Sequence, residues 1–182
     1  MKRIMRALLT LALGLVFLVP AGASAHPAPY CGIVWGSLAK ADRDTSAGAS
    51  ITNVRTGRHA CYDRMVVDVR GDVEGYSVRY VDQVRAEGTG NVVPVRGGAR
   101  LEVVANAPTY NANGVPTYRP ANPRELSNVS GFSTFRQIAS AGSFEGQSTF
   151  ALGVRARLPF RVFILDGPGT GTRLVVDVAH RW

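Results

Sequence analysis

From Arg64 onward, apolar and polar residues alternate in short runs separated by turn residues, and no long segment repeats at helical spacing. In Arg64-Met65-Val66-Val67-Asp68-Val69 the residues Met65, Val67 and Val69 share one face, while Arg64, Val66 and Asp68 share the other. Tyr76 to Val81 repeats the pattern, with Tyr76, Val78 and Tyr80 opposed to Arg79. Val92 to Val95 contains Pro94, so it reads as an edge strand or none. Leu101–Ala105, Phe135–Ala139, Ser148–Val154, Phe160–Asp166 and Leu174–Ala179 complete the set. The spacing predicts an all-β chain, a β-sandwich of about eight mostly antiparallel strands. At most one short helix is expected, starting at Asn122 with Pro123 in its first turn and Glu125 three residues after the cap.

Asn106 to Pro123 interrupts this rhythm with four prolines, four asparagines, Tyr110 and Tyr118. A loop of this length in a compact domain is usually functional or disordered. Tyr110 and Tyr118 are candidate ligand-binding residues, because tyrosine offers a flat apolar face plus a hydroxyl. An ordinary crossover between sheets is the alternative.

One six-residue pattern occurs twice. Arg64-Met65-Val66-Val67-Asp68-Val69 and Arg173-Leu174-Val175-Val176-Asp177-Val178 differ only at Met against Leu. Each sets an Arg and an Asp four residues apart on one strand face, with the apolar trio on the other. Pseudo-symmetric halves or neighbouring central strands would both produce such a repeat. Arg64, Asp68, Arg173 and Asp177, on faces expected to be exposed, are the first candidates for ligand contact.

The chain's start changes the picture. Lys2, Arg3 and Arg6 precede a thirteen-residue apolar run, Ala7 to Val19, followed by Pro20 and Ala23-Ser24-Ala25. These are the three regions of a secretory signal peptide cleaved after Ala25, and the run falls short of the roughly 20 residues a membrane span needs. The expected product is secreted or held in the cell envelope, with no membrane span after cleavage. Cys31 and Cys61, both beyond that point, then read most simply as one disulfide in an oxidising compartment. It closes about 31 residues and is worth roughly 3–4 kcal/mol on the entropy model. Two free thiols or half a metal site are the alternatives, and three scattered histidines complete no zinc pattern. The expected organisation is a signal peptide over 1–25, a disulfide-tied lead over 26–60 and the sandwich over 61–182.

The formal charge of +8 suggests nucleic acid until its location is considered. Removing residues 1–25 takes away three cations and leaves +5, made of dispersed arginines and Lys40 interleaved with 13 acids. No basic stripe of a phosphate-tracking kind is present, so no nucleic-acid partner is expected. A mildly cationic surface suits anionic envelope polymers instead. Asn128-Val129-Ser130 matches a glycosylation sequon, which matters only in a host that uses one.

Catalytic material is thin. His59, Cys61 and Asp63 alternate along one strand face and suggest a Cys/His nucleophile, against which stands the disulfide. Glu102, Glu125 and Glu145 contain a possible carboxylate pair for glycoside hydrolysis, but nothing in the sequence brings two together. No Gly-x-Ser-x-Gly, His-Glu-x-x-His or phosphate loop occurs. Gly167-Pro168-Gly169-Thr170-Gly171 lies between two strands and reads as a hairpin loop. The expectation is a non-enzyme with no cofactor, no metal and no catalytic residue.

The two Arg-apolar-Val-Val-Asp-Val strands, the second preceded by Pro159-Phe160-Arg161-Val162-Phe163-Ile164-Leu165, resemble the AMIN domain and especially its actinobacterial AMIN-like relatives. Similar stretches are Gly75-Tyr76 through Asp82, Gly97 to Val103, Gly142 to Gly146, Cys31 to Ser37 and Gly57 to Arg64, so the resemblance spans roughly 31–181. It implies a β-sandwich of two related sheets, used elsewhere as a non-catalytic module that localises its host to the envelope, with peptidoglycan the implied ligand. This chain departs from those hosts in showing no attached catalytic domain. The expected function is an exported envelope-binding module whose partner is a cell-wall polymer, or else a protein-binding accessory module partnered by an envelope protein. A secreted hydrolase is the remaining reading.

Overall fold

A computed structural model describes residues 29–44, 48–73, 75–167 and 169–182. The expected signal peptide and its cleavage site lie outside them. Among the described residues, a 3-10 turn at Tyr30–Gly32 is followed by eleven strands. They are β1 (Lys40–Asp42), β2 (Ser50–Arg58), β3 (Tyr62–Arg70), β4 (Tyr76–Val81), β5 (Val84–Arg85), β6 (Val92–Val93), β7 (Ala99–Ala105), β8 (Phe135–Phe144), β9 (Gln147–Val154), β10 (Phe160–Asp166) and β11 (Gly171–Ala179). One sheet has the order β1-β4-β7-β9-β8, a second β10-β11-β3-β2, and β5 and β6 form a small pair. Every strand pairing is antiparallel.

The period-two alternation does what it should. Met65, Val67 and Val69 of β3 and Leu174, Val176 and Val178 of β11 point inward. They join Leu101, Val103, Phe150, Leu152 and Ile138 of the larger sheet in one buried cluster. Burying a side chain of this size contributes about 1.5–3 kcal/mol, so this shared core holds the two sheets face to face. Tyr80 closes one end: its hydroxyl donates to the Leu158 carbonyl at 2.6 Å and accepts from the Leu158 N–H at 3.0 Å.

The outer faces of the two sheets differ. The larger carries a second apolar patch of Ala139, Ala141 and Ala151, covered by Val84, Val93 and Val95 on and after the β5–β6 pair. The outer face of the smaller sheet carries Arg64, Val66 and Asp68 beside Arg173, Val175 and Asp177. The candidate site lies there.

Two expectations need correction. The sandwich does not begin at residue 61. β2 pairs with β3 from Ser50 to Arg58, so that boundary cuts through a hydrogen-bonded strand pair. A β-bulge between Ile51 and Asn53 hid β2, because it puts Ile51 and Val54 on the inner face three residues apart instead of two. Second, no helix starts at Asn122. Its side chain accepts from Arg124 N–H at 2.9 Å and its carbonyl from Glu125 N–H at 3.1 Å, which makes one turn. Leu126 N–H then donates to the Ile138 carbonyl, and the Pro123 carbonyl accepts from Ser140 N–H, so the segment runs along the edge of β8. The Asn106–Pro123 stretch, whose role the sequence leaves open, is a built loop. Tyr110 bridges Pro116 across a tight turn stapled by Asn111, while Ile51 N–H donates to Pro108 and Thr117 Oγ1 donates to Ile51.

The Cys31–Cys61 disulfide is present, with 6.4 Å between the two Cα atoms. It ties the segment before β1 to the start of β3. Trp35 packs against Tyr62 there, and Gly36 bridges Phe160 at the edge of the smaller sheet.

Candidate functional site

On the open face of the smaller sheet, antiparallel register arranges the outward side chains in three rows. The first runs Arg161, Asp177, Arg64, Gly57; the second Phe163, Val175, Val66, Arg55; the third Leu165, Arg173, Asp68, Asn53. The two motif strands are neighbours, and the antiparallel pairing turns the repeat into a cross: Arg64 faces Asp177, and Arg173 faces Asp68. The Arg and Asp within one strand are therefore not the ones that meet.

The first row is closed. Arg64 grips Asp177 with Nε at 2.6 Å and Nη2 at 2.9 Å, and Arg161 Nε adds a bond of 2.8 Å. Asp177 is 0% exposed. The expectation of a uniformly exposed motif face fails at this residue, because two guanidiniums from flanking strands fold over its carboxylate. Aromatic rings fix both arginines in turn. Arg161 lies 4.9 Å from the Phe163 ring, 5.3 Å from Tyr62 and 5.6 Å from Trp35, and Arg64 lies 5.2 Å from Tyr62. The Asp177 hydrogen bonds raise the Arg64 pKa above its ordinary value, so this cation is permanent.

The third row is open. Asp68 receives Arg55 through Nε at 2.8 Å and Nη2 at 3.0 Å, with Asn53 at 3.3 Å. Arg55 is half exposed. Two hollows meet at Arg55 and Arg173. One, of about 220 Å³, is lined also by His59, Arg64 and Leu165. The other, of about 700 Å³, also takes in Thr52, Arg70, Thr170 and the glycines of the β10–β11 turn. That turn is a hairpin loop, as its position between two strands suggested. In this trough Arg55, Arg70 and Arg173 stand around the Asp68 carboxylate in the larger hollow, while Arg64, lining the smaller one, is already paired with Asp177, a setting for anionic groups.

A family match over residues 49–180 decides the affiliation. The chain belongs to the AMIN-like domain family. The matched span opens one residue before β2 and closes one residue after β11, so it takes in the smaller sheet whole and all of the larger one but its edge strand β1. Cys31 to Ser37, part of the resemblance read from sequence, precedes it. No curated protein and no solved structure matches the chain.

Within the AMIN-like domain the six candidate ligand residues separate. Arg64, Asp68, Arg173 and Asp177 gather on one face, with Asp177 beneath it. Tyr110 lies elsewhere, its hydroxyl accepting from Gly146 N–H at the tip of the β8–β9 hairpin. Tyr118 packs against the core, and burial pushes its phenol pKa up. Neither tyrosine lines the trough. Sequence reasoning missed Arg55 and Arg161. Arg55 lies in the segment read as a disulfide-tied lead, and Arg161 stood out only as part of the stretch that precedes the second motif strand. The cross-strand register that makes both part of the site is set by pairing and not by spacing.

The other candidate chemistry is dispersed. Cys61 Sγ is bonded to Cys31, and the His59 ring stacks on Tyr62 at 4.5 Å. Glu102 pairs with Arg79 on the larger sheet, and Glu125 pairs with Arg96 between two connecting segments outside the strands. Among the described residues no three His, Cys, Asp or Glu side chains cluster for a metal, and no helix is long and apolar enough to cross a membrane. A separate apolar cleft of about 370 Å³ lies between Tyr30, Val34, Trp35, Pro159 and Trp182.

Proposed function

We propose that this AMIN-like domain is an exported, non-catalytic module that binds a cell-wall component, peptidoglycan or a polymer attached to it, through the open face of the β10-β11-β3-β2 sheet. The observation that carries the reading is the trough at Arg55 and Arg173, where three arginines, Arg55, Arg70 and Arg173, stand around one carboxylate, Asp68. Wall polymers are rich in carboxylate or phosphate, and a fixed cationic trough attracts them at ordinary ionic strength. Family membership supports a wall-associated role, and the leader-like residues 1–25 support export. The absence of catalysis is proposed on the disulfide that removes the Cys61 thiol and on the separate arginine partners of Glu102 and Glu125.

Sedimentation with purified cell wall tests the proposal. The mature chain should be retained at physiological salt above a folded protein of matched charge, and the incubated wall should release no new reducing ends or free amines. Equal retention of the control removes the binding claim, and released fragments remove the non-catalytic one.

A further inference from the structure

The two motif strands lie antiparallel and in register, so the fold offers two equivalent cross-strand charge pairs and uses only one. Arg64 closes on Asp177. At the second position Asp68 is taken by Arg55 from the neighbouring strand, and Arg173 pairs with no carboxylate among the described residues. Arg173 Nη2 donates to the main-chain carbonyl of Asp166 at 2.5 Å. Its Nε is buried with no hydrogen-bond partner among the described residues. A buried donor left unmatched is costly, and the Arg173 side chain that carries it lines both hollows of the open face.

From this broken symmetry we infer that Arg173 is the anchor of an oxyanion site. A carboxylate or phosphate group of the bound polymer takes the place that Asp68 would occupy if the second pair closed like the first. Guanidinium binds either oxyanion through paired N–H donors. Arg55 and Arg70 add cationic surroundings on one side, and the Thr170 hydroxyl lies on the rim. Arg55 also keeps the site open. By holding Asp68 with two bonds it keeps the internal carboxylate off Arg173, which is then free to take an external one. The inference rests on the reading of this face as wall-binding and names the chemical group recognised there.

Titration calorimetry with inorganic phosphate and with acetate on the mature chain, for the wild type, R173Q and D68N, tests it. R79Q, on the larger sheet, serves as the charge control. R173Q should weaken the oxyanion that binds by about tenfold or more, the scale of one charge-assisted fork. D68N should strengthen it, because Arg55 is released to join Arg173. R79Q should leave it within about twofold, since its charge is remote and screened. Wild-type affinity in R173Q, weaker binding in D68N, an equal loss in R79Q, or no binding of either anion to the wild type overturns the inference. If R173Q fails to fold by circular dichroism, D68N decides alone. Retention of the wild type on whole wall, and on wall stripped of phosphate polymers by hydrofluoric acid, assigns the source: loss on stripping marks phosphate, persistence marks peptide-stem carboxylate. Wild type and R173Q retained equally on wall overturns the site while the wall-binding reading stands. Phosphate binding through Arg173 without wall retention overturns that reading and leaves the site.

Discussion

Asp177 receives three guanidinium bonds at a position closed to solvent, whereas Asp68, its counterpart in the repeat, receives Arg55 at the surface. The same residue type in the same motif therefore does two jobs. Asp177→Asn leaves two half-buried arginines facing a neutral amide, and breaking a buried pair from one side costs about 3 kcal/mol or more. Asp68→Asn removes an exposed pair and costs less than about 1 kcal/mol. Urea unfolding of both variants measures the contrast, and equal losses would show that burial does not distinguish the pairs. The motif itself was legible in the sequence, down to which residues face inward. Its division into a closed and an open pair was not, because it depends on Arg55 and Arg161, which approach from strands 16 residues or less away along the chain but across the sheet.

At the scale of the element, strands with strict alternation were readable and irregular ones were not. β3, β4, β7 and β11 alternate cleanly enough to be placed from sequence and β9 and β10 show as short apolar runs between turn residues, while β2 escaped through its bulge and β1 and β5 are too short to show a period. The helix expected at Asn122 had genuine start signals, but the unpaired edge of β8 captured its backbone before a second turn could form. β9 shows an element's dependence on a single missing side chain. A Cβ on Gly153 would overlap the Arg96 main-chain carbonyl, which crosses directly above it. Gly153→Ala therefore forces Val95 and Arg96 off the sheet and uncovers the patch of Ala139, Ala141 and Ala151. The expected cost is in the range of core overpacking, about 1–3 kcal/mol, read as a lower thermal midpoint. A stability equal to wild type would show that the Arg96 segment yields freely.

For the whole molecule, alkaline pH is the vulnerable direction. Burial raises the phenol pKa of Tyr76, Tyr80 and Tyr118 above the ordinary value. The folded state thus holds these protons longer than the unfolded chain, so their stabilising contribution is complete below about pH 10 and is lost as pH rises through the folded values. Lys40, lowered by burial, has the opposite sign and gains over the same window, but it is one group against three. Unfolding free energy measured from about pH 9 to 11.5 should fall, with phenolate absorbance lagging behind that of free tyrosine. A flat profile would show that the buried phenols carry no such linkage. The two sheets meet this environment differently, since β5 and β6 cover the outside of one and leave the outside of the other open. In the proposed wall-bound state the arginine-bearing face of the smaller sheet meets the polymer, which fixes one orientation for the domain. Adsorbed in numbers, such molecules would form an oriented layer, arginines against the wall and the β5–β6 side outward, giving that surface a uniform new exterior.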